Sequence, residues 1–237
     1  ARVNEAGWLA VTAQQSGYKG SVTVYNSTFD KTVIQINLSS TFIMDAVLSP
    51  DSKTVAIVTL GQADGSYESQ VRFYHVDEKE PYATVSLGNV VPLDLDYESG
   101  ALWVQGEDQL LIVSPDGKET ASYSLGRSYL KGCDLGGDGF AVLLLGRYRA
   151  GSANQMVTVN NKGEVIATQD LTSSVLSFDA AGRYFSLLTG DTLTIYTSDM
   201  TTYSILEHTQ NARYTALSSS GAAVLANAQQ AWLYLPN

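Results

Sequence analysis

Ala46-Val47-Leu48-Ser49-Pro50-Asp51-Ser52-Lys53-Thr54-Val55-Ala56-Ile57-Val58 is an apolar run, a small polar turn and a second apolar run. Such a segment reads as two short antiparallel strands joined by a tight turn. The phrase returns along the chain. Asn4-Glu5-Ala6-Gly7 precedes Trp8-Leu9-Ala10-Val11, and Tyr97-Glu98-Ser99-Gly100 precedes Ala101-Leu102-Trp103-Val104. Gly136-Gly137-Asp138-Gly139, Asp179-Ala180-Ala181-Gly182 and Ser218-Ser219-Ser220-Gly221 complete the set. Taking the last turn residue as the mark, at 7, 52, 100, 139, 182 and 221, the intervals are 45, 48, 39, 43 and 39 residues. Repeats of this length, each opening with a turn into a short apolar strand, predict an all-β fold: a β-propeller of four-stranded antiparallel blades.

The order of signals within a repeat is constant. An apolar strand precedes the turn, a second follows it, and a third carries β-branched and aromatic residues: Val22 to Tyr25, Val71 to Tyr74, Leu110 to Val113, Met156 to Val159, Leu193 to Tyr196 and Trp232 to Leu235. Turns such as Ser114-Pro115-Asp116-Gly117 and Asn160-Asn161-Lys162-Gly163 then lead to an outer strand, because Gly accepts positive φ and Pro presets φ at the first corner. The outer strands fall at 33–38, 83–87, 121–125, 165–169 and 202–206. Six repeats are visible, the first and last incomplete. A single propeller domain over 1–237 is expected, from a longer chain whose upstream sequence has been removed, or as six blades that close imperfectly. No window sustains the three-to-four spacing of an amphipathic helix.

Acidic residues outnumber basic ones, 24 to 14, and the formal net charge is −10. With the Lys and Arg scattered, nucleic acid and anionic membrane surfaces are disfavoured as partners. No apolar stretch approaches the roughly 18 residues of a transmembrane helix. The one cysteine, Cys133, precludes an internal disulfide and is expected as a small buried residue on a strand.

Three segments carry a more specific likeness: Gly7 to Val11 continuing through Gly17-Tyr18-Lys19-Gly20-Ser21-Val22-Thr23-Val24-Tyr25-Asn26, then Leu48-Ser49-Pro50-Asp51-Ser52-Lys53, then Asp134-Leu135-Gly136-Gly137-Asp138-Gly139-Phe140-Ala141-Val142-Leu143. Together they resemble an uncharacterised family of Gram-positive bacterial proteins within the WD-repeat and YVTN-like propellers. Its members look like a short cytoplasmic start, one transmembrane helix and an extracellular propeller-like domain. That resemblance implies an extracellular, membrane-anchored setting for this chain and carries no catalytic residue with it.

The residues offer two candidate sites. Asp45, Asp94, Asp96 and Asp134 lie on inner strands, where converging carboxylates would suit a hard cation or acid–base chemistry. A wet channel that tolerates acids, some of them capping backbone N–H groups, is the favoured account of them, and no calcium-loop spacing is present. The second candidate is a loop face. The links between second and third strands are long at 14–20, 62–69 and 147–154, and carry Tyr18, Lys19, Tyr67, Arg147, Tyr148 and Arg149. Tyr and Arg are the residues favoured as interface anchors, whereas the turns at the opposite end are tight. His75 reads as a turn-entry residue and His208 as part of a link, and no metal or cofactor is expected. The expected function is a non-catalytic module binding a protein, peptide or cell-wall glycan. The competing reading is a hydrolase or lyase using the inner-strand aspartates.

Overall fold

The computed structural model describes residues 1–63, 65–98 and 100–236. Ser99 of the third turn, Asp64 of the second long link and the terminal Asn237 lie outside the described residues. The chain divides into two compact units, Ala1–Thr120 and Ala121–Asn237, the division falling inside one outer strand.

In the first unit, β1 (Arg2–Val3), β2 (Leu9–Ala13), β3 (Gly20–Tyr25) and β4 (Thr32–Leu38) form one sheet in sequence order. The second contains β5 (Phe42–Leu48), β6 (Thr54–Ala63), β7 (Ser66–His75) and β8 (Ala83–Gly88), and the third β9 (Pro92–Glu98), β10 (Ala101–Gly106), β11 (Gln109–Val113) and β12 (Glu119–Ser124). In the second unit, β13 (Tyr129–Gly137), β14 (Phe140–Gly146), β15 (Gln155–Asn160) and β16 (Val165–Asp170) are followed by β17 (Val175–Ala181), β18 (Tyr184–Thr189), β19 (Thr192–Thr197) and β20 (Thr202–Glu207). The last sheet has three strands, β21 (Tyr214–Leu217), β22 (Ala223–Ala226) and β23 (Ala231–Tyr234). Neighbouring strands are antiparallel in the registers given for all six sheets. The outer strands fall within two residues of the expected positions. Leu235 lies just past β23.

The turns explain the repeat. Gly7, Ser52, Gly100, Gly139, Gly182 and Gly221 all adopt positive φ, between 59° and 86°. In three of them the last residue's N–H returns to the carbonyl three residues earlier: Gly7 to Asn4, Ser52 to Ser49 and Gly221 to Ser218, each at 2.9 Å. At Gly7 and Gly221 this is a three-residue hairpin loop closing on a left-handed position, which glycine fills without strain; the loop closed by Ser49 N–H on the Thr54 carbonyl is one residue longer. Ser52 is the exception, at φ 59°. Its hydroxyl accepts from Asn4 Nδ2 at 2.8 Å, and the same amide donates to the Ser49 carbonyl at 2.7 Å, so the first turn braces the second.

Both faces of the second sheet are buried, which is why its strands read as unbroken apolar runs. Ala46, Leu48, Val55, Ile57 and Tyr74 pack with Val22, Val24, Ile34 and Ile36 of the first sheet. The alternate residues Val47, Ala56, Val58, Val71 and Phe73 pack with Leu95, Leu102, Val104 and Leu111 of the third. Period-two alternation therefore sends one sequence into two cores. In the second unit the sheet β17–β20 does the same. Phe185, Leu187 and Tyr196 join Phe140 and Met156, while Tyr184, Leu188, Leu193 and Ile195 join Ala223 and Leu225.

Two local expectations are corrected. The link 62–69 is almost wholly strand: Gln62 pairs with Tyr67, Gly61 with Glu68 and Leu60 with Ser69, and Gly65 takes φ +80° beside the tip. Cross-strand pairing past the usual end extends this hairpin, where its polar composition suggested a loop. Cys133 lies on β13 as expected, but it is half-buried instead of buried.

Candidate functional site

The inner-strand acids sit on the first strand of their sheets, Asp45 on β5, Asp94 and Asp96 on β9, and Asp134 on β13. In the first unit β1, β5 and β9 bring them to one residue that sequence reading missed. Arg2 donates from Nε and Nη2 to Asp45 Oδ2 at 3.0 and 2.8 Å, and its Nη2 also contacts Asp94 Oδ1. Burial opposes the guanidinium charge, but the hydrogen bonds and charges of both carboxylates outweigh it and hold Arg2 above its ordinary pKa. No signal in the sequence links residues 43 and 92 positions apart.

These acids also cap peptide groups, Asp94 through the same oxygen that meets Arg2. Asp45 Oδ1 accepts from Ala46 N at 2.8 Å, Asp94 Oδ1 from Leu95 N at 2.9 Å, and Asp96 Oδ1 from Tyr97 N at 2.8 Å. In the second unit Asp134 Oδ1 accepts from Gly136 N at 2.9 Å. Asp179 there accepts from Leu217 N at 2.5 Å, tying β17 to β21. Among the described residues, no three His, Cys, Asp or Glu side chains are grouped to hold a metal ion.

Asp96 lines a cavity of about 200 Å³ with Arg2, Asn4, Glu5, Tyr97 and Glu98. Burial pushes its carboxyl above the ordinary 3.8; the Tyr97 N–H and the Arg2 charge oppose the rise, while Asp94 and Asp45 add to it. A folded-state pKa above the unfolded value means that the native protein binds this proton more readily. Asp96 therefore weakens the fold at pH 7, and the penalty is relieved as pH falls through the folded pKa. Asp96→Asn keeps the acceptor for Tyr97. It is expected to raise Tm at pH 7, and the gain should vanish below the ordinary Asp range; thermal melts across pH would show it, and a constant offset would contradict the assignment.

Within each unit the loop-face residues lie at the opposite end of the strands from the tight turns. In the first unit Tyr18 (44% exposed) lies in the link 14–19, and Lys19 Nζ stands 5.0 Å from the ring centroid of Phe42. Tyr67, on β7, is 66% exposed at the same end. In the second unit the link 147–154 carries Arg147, Tyr148 (75% exposed) and Arg149. It is held in shape: the Arg147 N–H donates to Asn154 Oδ1 at 2.9 Å, and Lys131 Nζ donates to the Arg149 carbonyl at 2.8 Å. A depression of about 480 Å³ beside it is lined by Lys131, Gly151, Ser152, Ser177, Phe178 and Tyr214. A second, of about 420 Å³, is lined by Arg147, Tyr148, Asn154 and Asp170 and shares Gly151 and Ser152 with the first.

Sequence reading found the links but not what stands beside them. The first strands begin with exposed large residues: Phe42 and Leu93 in the first unit, Tyr129 and Tyr214 in the second. A large apolar residue recurring at the opening of the first strand was the available signal. The histidines play other parts. His75 stacks on Tyr82 with centroids 4.3 Å apart, and His208 Nδ1 lies 3.3 Å from Asp191 Oδ2.

Solved structures share this architecture. The C-terminal WD40 domain of Sif2 matches at TM-score 0.55 and 11% identity, covering 100% of this chain and 84% of that one. Hsv2p of Kluyveromyces lactis matches at TM-score 0.65 and 12% identity, covering 98% and 72%. A eukaryotic initiation factor matches at 0.56 and 10%, covering 95% and 69%. At these identities the likeness shows the fold, an all-β propeller of antiparallel blades. No curated protein matches the chain in sequence. Residues 1–204 match the model of a family of unknown function, DUF5711.

Proposed function

Because the chain belongs to DUF5711, a family of unknown function, and has a β-propeller fold, we propose that it is a non-catalytic binding module. In each unit the surface that binds is the long-link end of the strands. One observation carries the reading: exposed large residues stand at that end of each unit, Tyr18, Phe42, Tyr67 and Leu93 in the first and Tyr129, Tyr148 and Tyr214 in the second. Exposed aromatic clusters beside Arg and Lys mark interaction surfaces more than solvated loops. The ligand is a protein, peptide or cell-wall glycan. The likeness of the Gly17-Tyr18-Lys19-Gly20 and Gly136 to Phe140 segments to membrane-anchored Gram-positive proteins supports an extracellular setting.

The second reading, a hydrolase or lyase, rests on Asp96, a carboxyl raised by burial and lining a cavity with Arg2 and Glu98. Against it, Asp45 and Asp94 are each bound to Arg2 and to a peptide N–H. A pull-down from the native cell extract separates the two. Alanine at Tyr18, Tyr148 and Arg149 together should lose the partner, and Asp96→Asn should keep it. Unchanged recovery with the alanine variant would remove this face as the site.

A further inference from the structure

The acidic charge of this protein is unevenly placed. Ala1–Thr120 holds seven Lys and Arg against sixteen Asp and Glu, net −9, whereas Ala121–Asn237 holds seven against eight, net −1. Within the second unit the basic residues are themselves concentrated. Arg127 precedes β13, Lys131 lies near its start, Arg147 and Arg149 lie in the link after β14, and Arg213 precedes β21. All five stand at the long-link end, where three acids also lie, Asp170, Asp191 and Glu207. Asp191 is engaged by His208 and by the Thr209 hydroxyl at 3.1 Å. Among the described residues Arg127, Arg147 and Arg213 form no ion pair with an acidic side chain.

From this placement we propose that the long-link end of the second unit binds a short acidic peptide segment, its carboxylates on Arg127, Arg147 and Arg213 and its backbone across the two depressions beside 147–154. The proposal rests on the reading of this end as the binding face. Arginine forks match carboxylates bidentately, and the exposed rings of Tyr129, Tyr148 and Tyr214 supply the apolar contact beside them. Charge range selects a short ligand. A segment that stays within about 10 Å of the basic rim feels that rim, whereas a long polyanion also meets the repulsion of a chain carrying −10. The link is already braced by Lys131 and Asn154, so little ordering is lost on binding.

The test is fluorescence polarisation with a labelled peptide of about twelve residues alternating Glu and Ala, beside its Gln–Ala counterpart and an oligo-dT of similar charge. The probe length follows from the short reach of the field. The Glu peptide should bind, the Gln peptide should not, and binding should weaken as salt rises. Arg147→Glu with Arg213→Glu should weaken it at least about tenfold, as expected when close charge pairs are lost. Lys118→Glu with Lys162→Glu changes the net charge equally on tight turns and should leave it intact. Equal weakening by both pairs, preference for oligo-dT, or no difference between the Glu and Gln peptides would overturn the proposal. If the peptide fails while the Tyr18, Tyr148 and Arg149 variant still loses the native partner, the binding-module reading stands and only the acidic ligand falls.

Discussion

Phe73→Ala is expected to cost about 3–5 kcal/mol, the range for removing a buried aromatic side chain. Phe73 is 0% exposed on β7, between Val58, Val71 and Leu87 of its own sheet and Leu95, Leu102 and Leu111 of the next. Its ring lies 6.1 Å from that of Tyr82. Removing it deletes apolar contact with two sheets at once, and the paired strands on either side limit how far the site can collapse. Denaturant unfolding should show a lower midpoint at unchanged slope. Phe73→Leu, which keeps most of the volume, should cost roughly 1–2 kcal/mol. Similar losses for the two variants would mean that the site relaxes freely and that the sheets are not closely packed there.

The second large effect falls on a turn. Gly163 has φ +74°, and a Cβ built there would lie 2.3 Å from the Ser122 carbonyl oxygen and 2.9 Å from its carbon. Both atoms are backbone of β12, so no side chain can swing away. The left-handed conformation alone costs an alanine about 1 kcal/mol, and the displaced strand adds to it, so Gly163→Ala should lose roughly 3 kcal/mol or more. Gly190 is the control: it has φ +56° with nothing within 4 Å of its ideal Cβ. Gly190→Ala should lose only about 1 kcal/mol. Equal losses at the two positions would show that backbone conformation, not the close approach of β12, sets the requirement for glycine at 163.

The repeat was legible because its causes are local. Turn glycines mark left-handed positions, and Ala46 to Val58 alternates between two cores, so strand order and nearly every boundary follow from neighbouring residues. The extended β6–β7 hairpin was not legible, since Gln62 to Ser69, with Gly65 and several polar residues, reads as a link until its pairing is seen. The same limit applies to the sites. Tyr18 and Tyr148 could be named from link length, but the Arg2 pairing with Asp45 and Asp94 joins residues of three different sheets. The basic rim is likewise spatial: Arg127, Lys131, Arg147 and Arg213 are scattered along the chain and share an end only because β13, β14 and β21 begin or end there.

Binding at the long-link end is decided by recovering the native partner on two variants side by side. The first replaces Tyr18, Tyr148 and Arg149 with alanine. The second replaces Phe29 and Lys53, exposed on turns at the other end, with alanine. The first variant should lose the partner while folding normally, and the second should retain it. Loss on the second with retention on the first would contradict binding at the long-link end.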